Sequence, residues 1–119
     1  MTDRELLELA AKAAGIKYNA AASFPPDGKT YSFFGLWLEI EGEPNERTRR
    51  RWNPLTDDGD ALRLAVKLGM QVKAFPAGAK VLYQDHILDT CEVEVLADDP
   101  YKATRIAIVR AAAEIGKAM

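Results

Sequence analysis

The chain has 119 residues, of which 48% are hydrophobic and 29% charged, and this composition predicts one folded domain rather than a disordered chain. Sixteen basic residues against eighteen acidic ones give a net charge of −2. From this charge we expect no general electrostatic attraction to nucleic acid or to an anionic membrane. The single cysteine, Cys91, excludes an internal disulfide framework and a cysteine-rich zinc site.

The first predicted helix begins at Thr2 and ends near Gly15. Thr2 and Glu5 have the spacing of a capping box, and a glycine is a common helix stop. Apolar residues recur at helical spacing, at Leu6, Leu9, Ala10 and Ala13. An acidic helix start is not a signal peptide, and the chain has no apolar run of about 20 residues that could span a bilayer. We therefore expect a cytoplasmic protein without a membrane contact.

The second predicted helix follows Pro54, is capped by Thr56 or Asp57 and ends at Gly69. Its expected core face carries Leu62, Ala65 and Val66, widened by Ala61, Leu64 and Leu68. Its expected solvent face carries Asp60, Arg63 and Lys67.

The third predicted helix opens at Asp99 and Pro100, a cap followed by proline at the first helical position, and ends at Gly116. One apolar strip contains Tyr101, Ile108, Ala111, Ala112 and Ile115, and a second contains Ile106, Val109 and Ala113. Two strips on one helix indicate burial on more than one side.

Between the helices, apolar and polar residues alternate with a period of two, which predicts strands at 36–41, 70–73, 81–83 and 91–95, with 17–22 as a weaker candidate. The order is α-β-β-α-β-β-β-α. We expect an α+β fold in which an antiparallel sheet of four to five strands packs with three helices and keeps one face partly polar. Residues 1–119 would form a single sandwich-like domain.

Three segments of the chain resemble recurring segments of small phage and prophage proteins. They run from Trp52 to Leu68, from Leu6 to Gly15 and from Ala103 to Gly116. Together they resemble the phage alpha-beta-alpha sandwich domain family. The resemblance implies a phage or prophage origin, an accessory role without an assigned biochemistry, and helices on both faces of the sheet. It carries over no catalytic residue, and segment 19–51 has no counterpart in it.

The sharpest charge feature is a cluster of four arginines, Arg47, Arg49, Arg50 and Arg51, followed by Trp52. Guanidinium groups beside an indole could bind phosphates and stack a base, or could bind an acidic protein surface or an anionic small molecule. The alternative is a solvated loop that nearby glutamates neutralise, with Trp52 covering the second helix.

Three other patterns favour structural roles. Segment 23–30 ends like a phosphate-binding loop, but Pro25 and Pro26 remove amide donors, so a hairpin turn is the better interpretation. The acidic run 57–60 lacks the glutamate that a calcium loop needs at its twelfth position, and helix capping explains it. His86 and Cys91 could form a nucleophilic pair, but a cysteine inside a strand is typically an inert small hydrophobe.

These observations favour a non-enzymatic binding protein with no catalytic residue, cofactor or metal. By resemblance it would be a phage accessory protein, with counter-defence as one version, whose arginine cluster and Trp52 bind a host protein or a small anionic ligand. The alternative is nucleic-acid binding through residues 47–52. The apolar third helix also makes a homodimer possible.

Overall fold

The computed structural model describes residues 2–18, 36–37, 51–84 and 89–119, with residues 36, 37 and 51 described by their backbone alone. Its elements in chain order are α1 (Asp3–Ala14), β1 (Leu36–Trp37), β2 (Arg51–Trp52), α2 (Asp58–Lys67), β3 (Gln71–Phe75), β4 (Gly78–Gln84), β5 (Thr90–Leu96) and α3 (Pro100–Lys117). The α+β class is confirmed, with three helices and, between α2 and α3, three consecutive strands as predicted. β2 lies at a position where the sequence does not predict a strand.

Helix starts lie where the sequence predicts them, because each has a side chain that accepts hydrogen bonds from the first free backbone N–H groups. The Thr2 hydroxyl accepts from the Glu5 N–H at 3.2 Å. The carboxylate of Asp57, rather than Thr56, caps α2 by accepting from the Asp60 N–H at 2.7 Å. Asp99 caps α3 in the same way, with proline in the first turn.

The main sheet contains β3, β4 and β5 in that order, and both pairings are antiparallel. β1 and β2 pair with each other in a separate ladder of two residues each. The predicted single sheet of four to five strands is therefore not confirmed, since the described residues give three strands in the main sheet. The candidate strand at 17–22 and most of the candidate at 36–41 lie outside the described residues.

α3 is the central element of the fold. It packs against α1 and α2 and also against all three strands of the main sheet, so the prediction of burial on more than one side is confirmed. The predicted stop at Gly116 is wrong, because the helix continues to Lys117 and Gly116 is buried. A Cβ atom at this position would overlap the backbone carbonyl oxygen of Leu9 in α1. Glycine here permits the close approach of two helices.

The two faces of the main sheet differ in polarity. One face packs on α3 through residues such as Ala79, Val81 and Val95, which belong to the core. The opposite face carries charged side chains of neighbouring strands, with Lys80 3.4 Å from Glu92 and 3.8 Å from Glu94. The predicted polar face is confirmed. Among the described elements the helices pack on the apolar face, whereas the phage-family resemblance implies helices on both.

α2 is rotated relative to its predicted orientation. Ala61, Leu64 and Ala65 are buried as expected, but Leu62 and Val66 are 62% and 72% exposed, and Asp60 is only 5% exposed. The apolar residues of α2 cover a wider arc than its contact with α3 can bury. The Asp60 carboxylate lies on the buried side of the helix and accepts from the Asn53 N–H and from Arg63.

The core is built largely from small residues. Eleven of the nineteen buried hydrophobic residues in the described part of the chain are alanines, which lets the helices approach closely but buries little apolar area per residue. Within the same described part, no helix is long and apolar enough to cross a membrane.

Candidate functional site

The arginine cluster falls mainly outside the described residues. Arg47, Arg49 and Arg50 belong to segment 38–50, of which nothing is described, and Arg51 contributes its backbone to β2 opposite Trp37. Binding by these arginines stays a prediction. Trp52 is 4% exposed and belongs to the hydrophobic core, so its indole offers no free face on which a base could stack.

The segment after Trp52 is a hydrogen-bonded turn that leads into α2. The Asn53 side chain accepts from the Leu55 N–H at 3.0 Å, and the Asn53 carbonyl accepts from the Thr56 and Asp57 N–H groups at 3.1 and 2.9 Å. The Asn53 N–H donates to the buried Asp60 carboxylate at 3.0 Å. The turn is therefore a structural unit that fixes where α2 begins.

Each carboxylate of the acidic run 57–60 has its own protein partner. Asp57 caps α2, Asp60 accepts from Arg63 at 2.8 Å as well as from Asn53, and Asp58 accepts from Arg105 at 2.6 Å. In the described part of the chain, no three candidate ligands lie close enough together to hold a metal ion. The arrangement supports the interpretation of this run as capping residues.

His86, one member of the possible nucleophilic pair, lies in segment 85–88, outside the described residues, so the pair stays a prediction. Cys91 lies on β5 opposite Tyr83 and packs partly buried against the core. Its thiol donates to the Asp89 carbonyl at 3.8 Å, a weak bond in a position that suits a small hydrophobe.

An open apolar groove lies between α2, β3 and the first half of α3. Its volume is about 650 Å³, in the range of ligand-binding clefts. The lining is mainly aliphatic and aromatic, and includes Ala61, Leu62, Val72, Ala74, Tyr101 and Ile108. Leu62, Val72 and Tyr101 are 62%, 40% and 69% exposed. Large apolar side chains from three separate elements thus meet at one surface.

The lining of this groove also contains a pair of charged side chains that bond each other. The Arg105 Nη1 donates to Asp58 at 2.6 Å and its Nε donates to the Leu55 carbonyl at 2.9 Å. Both Asp58 and Arg105 line the groove, and their charges compensate each other. The ionisable groups of the lining therefore fix α3 to the start of α2.

Two groove residues lie where the sequence does not predict them. Leu62 and Tyr101 are predicted core residues without a functional role, and the structure places both at the surface. A usable signal exists in the sequence, because α2 has more apolar positions than one helix face can bury. Such an excess indicates a second contact surface.

A smaller hollow of about 520 Å³ lies between α1 and the residues that follow it, and is lined by Glu8, Lys12 and Tyr18 among others. Burial raises the pKa of the Tyr18 phenol above its usual value of 10.0, the Glu8 carboxylate raises it further, and the nearby Arg4 lowers it. Tyr18 therefore stays neutral over the physiological range, and its side chain packs partly buried against the core.

Comparisons of the chain with family models, with curated proteins and with solved structures give no significant match. The resemblance to the phage family thus stays a prediction, and the functional argument depends on the groove itself.

Proposed function

We propose that the protein is a non-enzymatic binding protein that docks a segment of another protein in the groove between α2, β3 and α3. The observation that carries the proposal is the exposure of Leu62, Val72 and Tyr101 side by side. An exposed apolar patch costs hydration free energy of about 25 cal/mol per Å² and is typical of a contact surface.

The distribution of large and small apolar residues supports this proposal. The core is rich in alanine, while Leu62 and Tyr101 lie outside it. Large apolar side chains that bury little of their area contribute little to folding, and their clustering in one groove is typical of a contact with another molecule.

The charges in the groove favour a protein segment over a small anionic ligand. Arg105 lines the groove, but its guanidinium already bonds Asp58 and the Leu55 carbonyl. An anion would have to displace the Asp58 carboxylate, whereas apolar side chains would bury the exposed lining without disturbing that pair.

The resemblance to phage proteins adds the biological part of the proposal. The protein would be a phage or prophage accessory protein in the host cytoplasm, and the docked segment would belong to a host protein, with counter-defence as one version. We propose no chemical step.

Photo-crosslinking tests the docking surface. A benzophenone amino acid replaces Tyr101 in the groove, and in a second protein it replaces Leu96, which is 74% exposed on β5 and does not line the groove. In extract from the cells in which the protein is naturally made, we expect the Tyr101 position to crosslink one protein that mass spectrometry identifies. The Leu96 position should not crosslink it.

Two matched variants on α2 complete this test. Leu62→Asp should abolish the Tyr101 crosslink, while Val66→Asp should retain it, because both residues are exposed but only Leu62 lines the groove. Neither change buries a charge, so stability should stay within about 0.5 kcal/mol. Identical adducts from Tyr101 and Leu96, or equal effects of the two α2 variants, would overturn the proposal.

A further inference from the structure

We propose that the segment bound in the groove is an extended strand that pairs with the edge of β3 opposite β4. Such a strand places apolar side chains in the groove and acidic side chains beside Lys73. This inference rests on the proposed function and specifies the chemistry of its partner.

The first observation concerns the edge of β3 that faces away from β4. Among the described strands β3 pairs only with β4, and the four residues from Gln71 to Ala74 are all exposed. On the unpaired side, alternate residues present backbone N–H and C=O groups that can pair with another strand. Addition of a peptide strand to such an edge is a recurrent mode of protein recognition.

The second observation is that the groove continues the apolar face of the sheet. Val72 lies opposite Val81, and Ala74 lies opposite Ala79, so these pairs share one face. Val81 and Ala79 are fully buried, whereas Val72 and Ala74 are exposed and line the groove. A strand added beside β3 would place every second side chain over this uncovered part of the face.

The third observation concerns two lysines on the polar face of the sheet, of which only the one on β4 has carboxylate partners among the described residues. Lys73 lies directly opposite Lys80, and like charges in this position are unfavourable. Glu92 and Glu94 of β5 lie within 4 Å of Lys80. Among the described residues no carboxylate lies within that distance of Lys73, whose ammonium group is 6.0 Å from the centre of the Phe75 ring. Acidic residues on an added strand would supply the missing charge.

β5 shows which sequence satisfies both requirements. From Thr90 to Leu96 it reads TCEVEVL, with valines toward the core and glutamates toward Lys80. We therefore expect the partner segment to alternate acidic and apolar residues in the same way.

The same charges disfavour a second copy of this chain as the occupant. A two-fold pairing of β3 with β3 would bring two Lys73 side chains onto the same face of the joined sheet, where they repel each other. Compared with a second copy, the segment of a different protein is therefore the better fit.

Amide hydrogen exchange on the full chain tests the strand mode with defined peptides. The probe is the acetylated and amidated peptide TVEVEVT at 1 mM, and the control TVVVEET has the same composition without the alternation. We expect the alternating peptide to protect the β3 amides, and the control to leave them unprotected. Absence of protection by TVEVEVT would overturn the inference.

A charge exchange tests the role of Lys73. The intact chain should prefer TVEVEVT over TVKVKVT by roughly two- to fivefold, and Lys73→Glu should reverse this preference, since an exposed cross-strand charge pair contributes an effect of that size. The matched variant Lys117→Glu changes an exposed lysine at the far end of α3 and should keep the original preference. An unchanged preference in Lys73→Glu would overturn the inference.

The outcomes separate this inference from the proposed function. Groove-specific crosslinking at Tyr101 without protection of β3 would overturn the strand mode and leave docking in the groove intact. Loss of groove-specific crosslinking would overturn the docking proposal itself. Protection of β3 that rises with protein concentration in the absence of peptide would identify the occupant as a second copy and overturn the partner proposed here.

Discussion

Asp60 is the residue that joins the turn before α2 to the helix itself. Its buried carboxylate accepts from the Asn53 N–H at 3.0 Å and from Arg63 at 2.8 Å. Sequence spacing predicts this residue on the solvent face. The structure buries it, because its carboxylate accepts from a backbone N–H seven residues earlier. A side chain that bonds a distant backbone N–H leaves no periodic signal, so burial of this kind escapes pattern analysis.

We expect Asp60→Ala to lower the free energy of unfolding by about 1–3 kcal/mol, because it leaves the buried Asn53 N–H without its carboxylate acceptor. Asp60→Asn retains an oxygen acceptor and should cost less. Asp98→Ala removes an exposed carboxylate and should change stability by less than about 0.5 kcal/mol. Urea denaturation of the three variants measures these differences. Equal effects of Asp60→Ala and Asp98→Ala would show that the buried carboxylate is not needed.

At the scale of elements, local signals predict the order of helices and strands and the caps at the helix starts. Asp57 and Asp99 stand where hydrophobic periodicity begins, and alternation alone indicates β3, β4 and β5. The predicted sheet of four to five strands is not confirmed among the described residues, because pairing between strands depends on contacts that a local pattern does not contain. The orientation of α2 fails for a related reason, since five apolar positions leave more than one face available to the core.

Gly116 provides a test of the packing between α1 and α3. We expect Gly116→Ala to lower the free energy of unfolding by about 1–3 kcal/mol or more, because its Cβ would overlap the Leu9 carbonyl and force the helices apart. At Gly59 in α2, a Cβ would lie 3.2 Å from the end of the flexible Arg63 side chain and from the Asp57 oxygen that caps the helix, and shifts of a few tenths of an ångström relieve both contacts. Alanine also has the higher helix propensity, so Gly59→Ala should cost less than about 0.5 kcal/mol.

Thermal and urea denaturation of the two alanine variants measure this difference. If Gly116→Ala is as stable as Gly59→Ala, the close approach of the two helices is not a feature of the protein in solution.

At the scale of the molecule, the apolar face of the sheet extends beyond the helices that cover it. α3 covers β4 and β5 well enough to bury Ala79, Val81 and Val95, while Val72 on β3 remains exposed. Among the described residues, nothing pairs with the outer edge of β3, and the adjoining apolar face is exposed, so backbone and side-chain contacts are available in one place. The sequence indicates the strands and the apolar excess of α2, but only the packing of three elements shows that these features meet.

The whole-molecule charge leads to a final prediction about the arginine cluster. The net charge is −2, and Trp52 lies in the core, so neither long-range attraction nor stacking on this indole assists nucleic-acid binding. In fluorescence anisotropy at 50 mM salt, we expect no saturable binding of a labelled 20-base-pair duplex or single strand up to roughly 100 µM protein, the weak end of non-specific affinity. Two results together would make the cluster a nucleic-acid site. The logarithm of the binding constant would fall with log salt by about 0.9 per phosphate contact. The double variant Arg49→Ala with Arg50→Ala would abolish binding, while Lys12→Ala with Lys117→Ala would not.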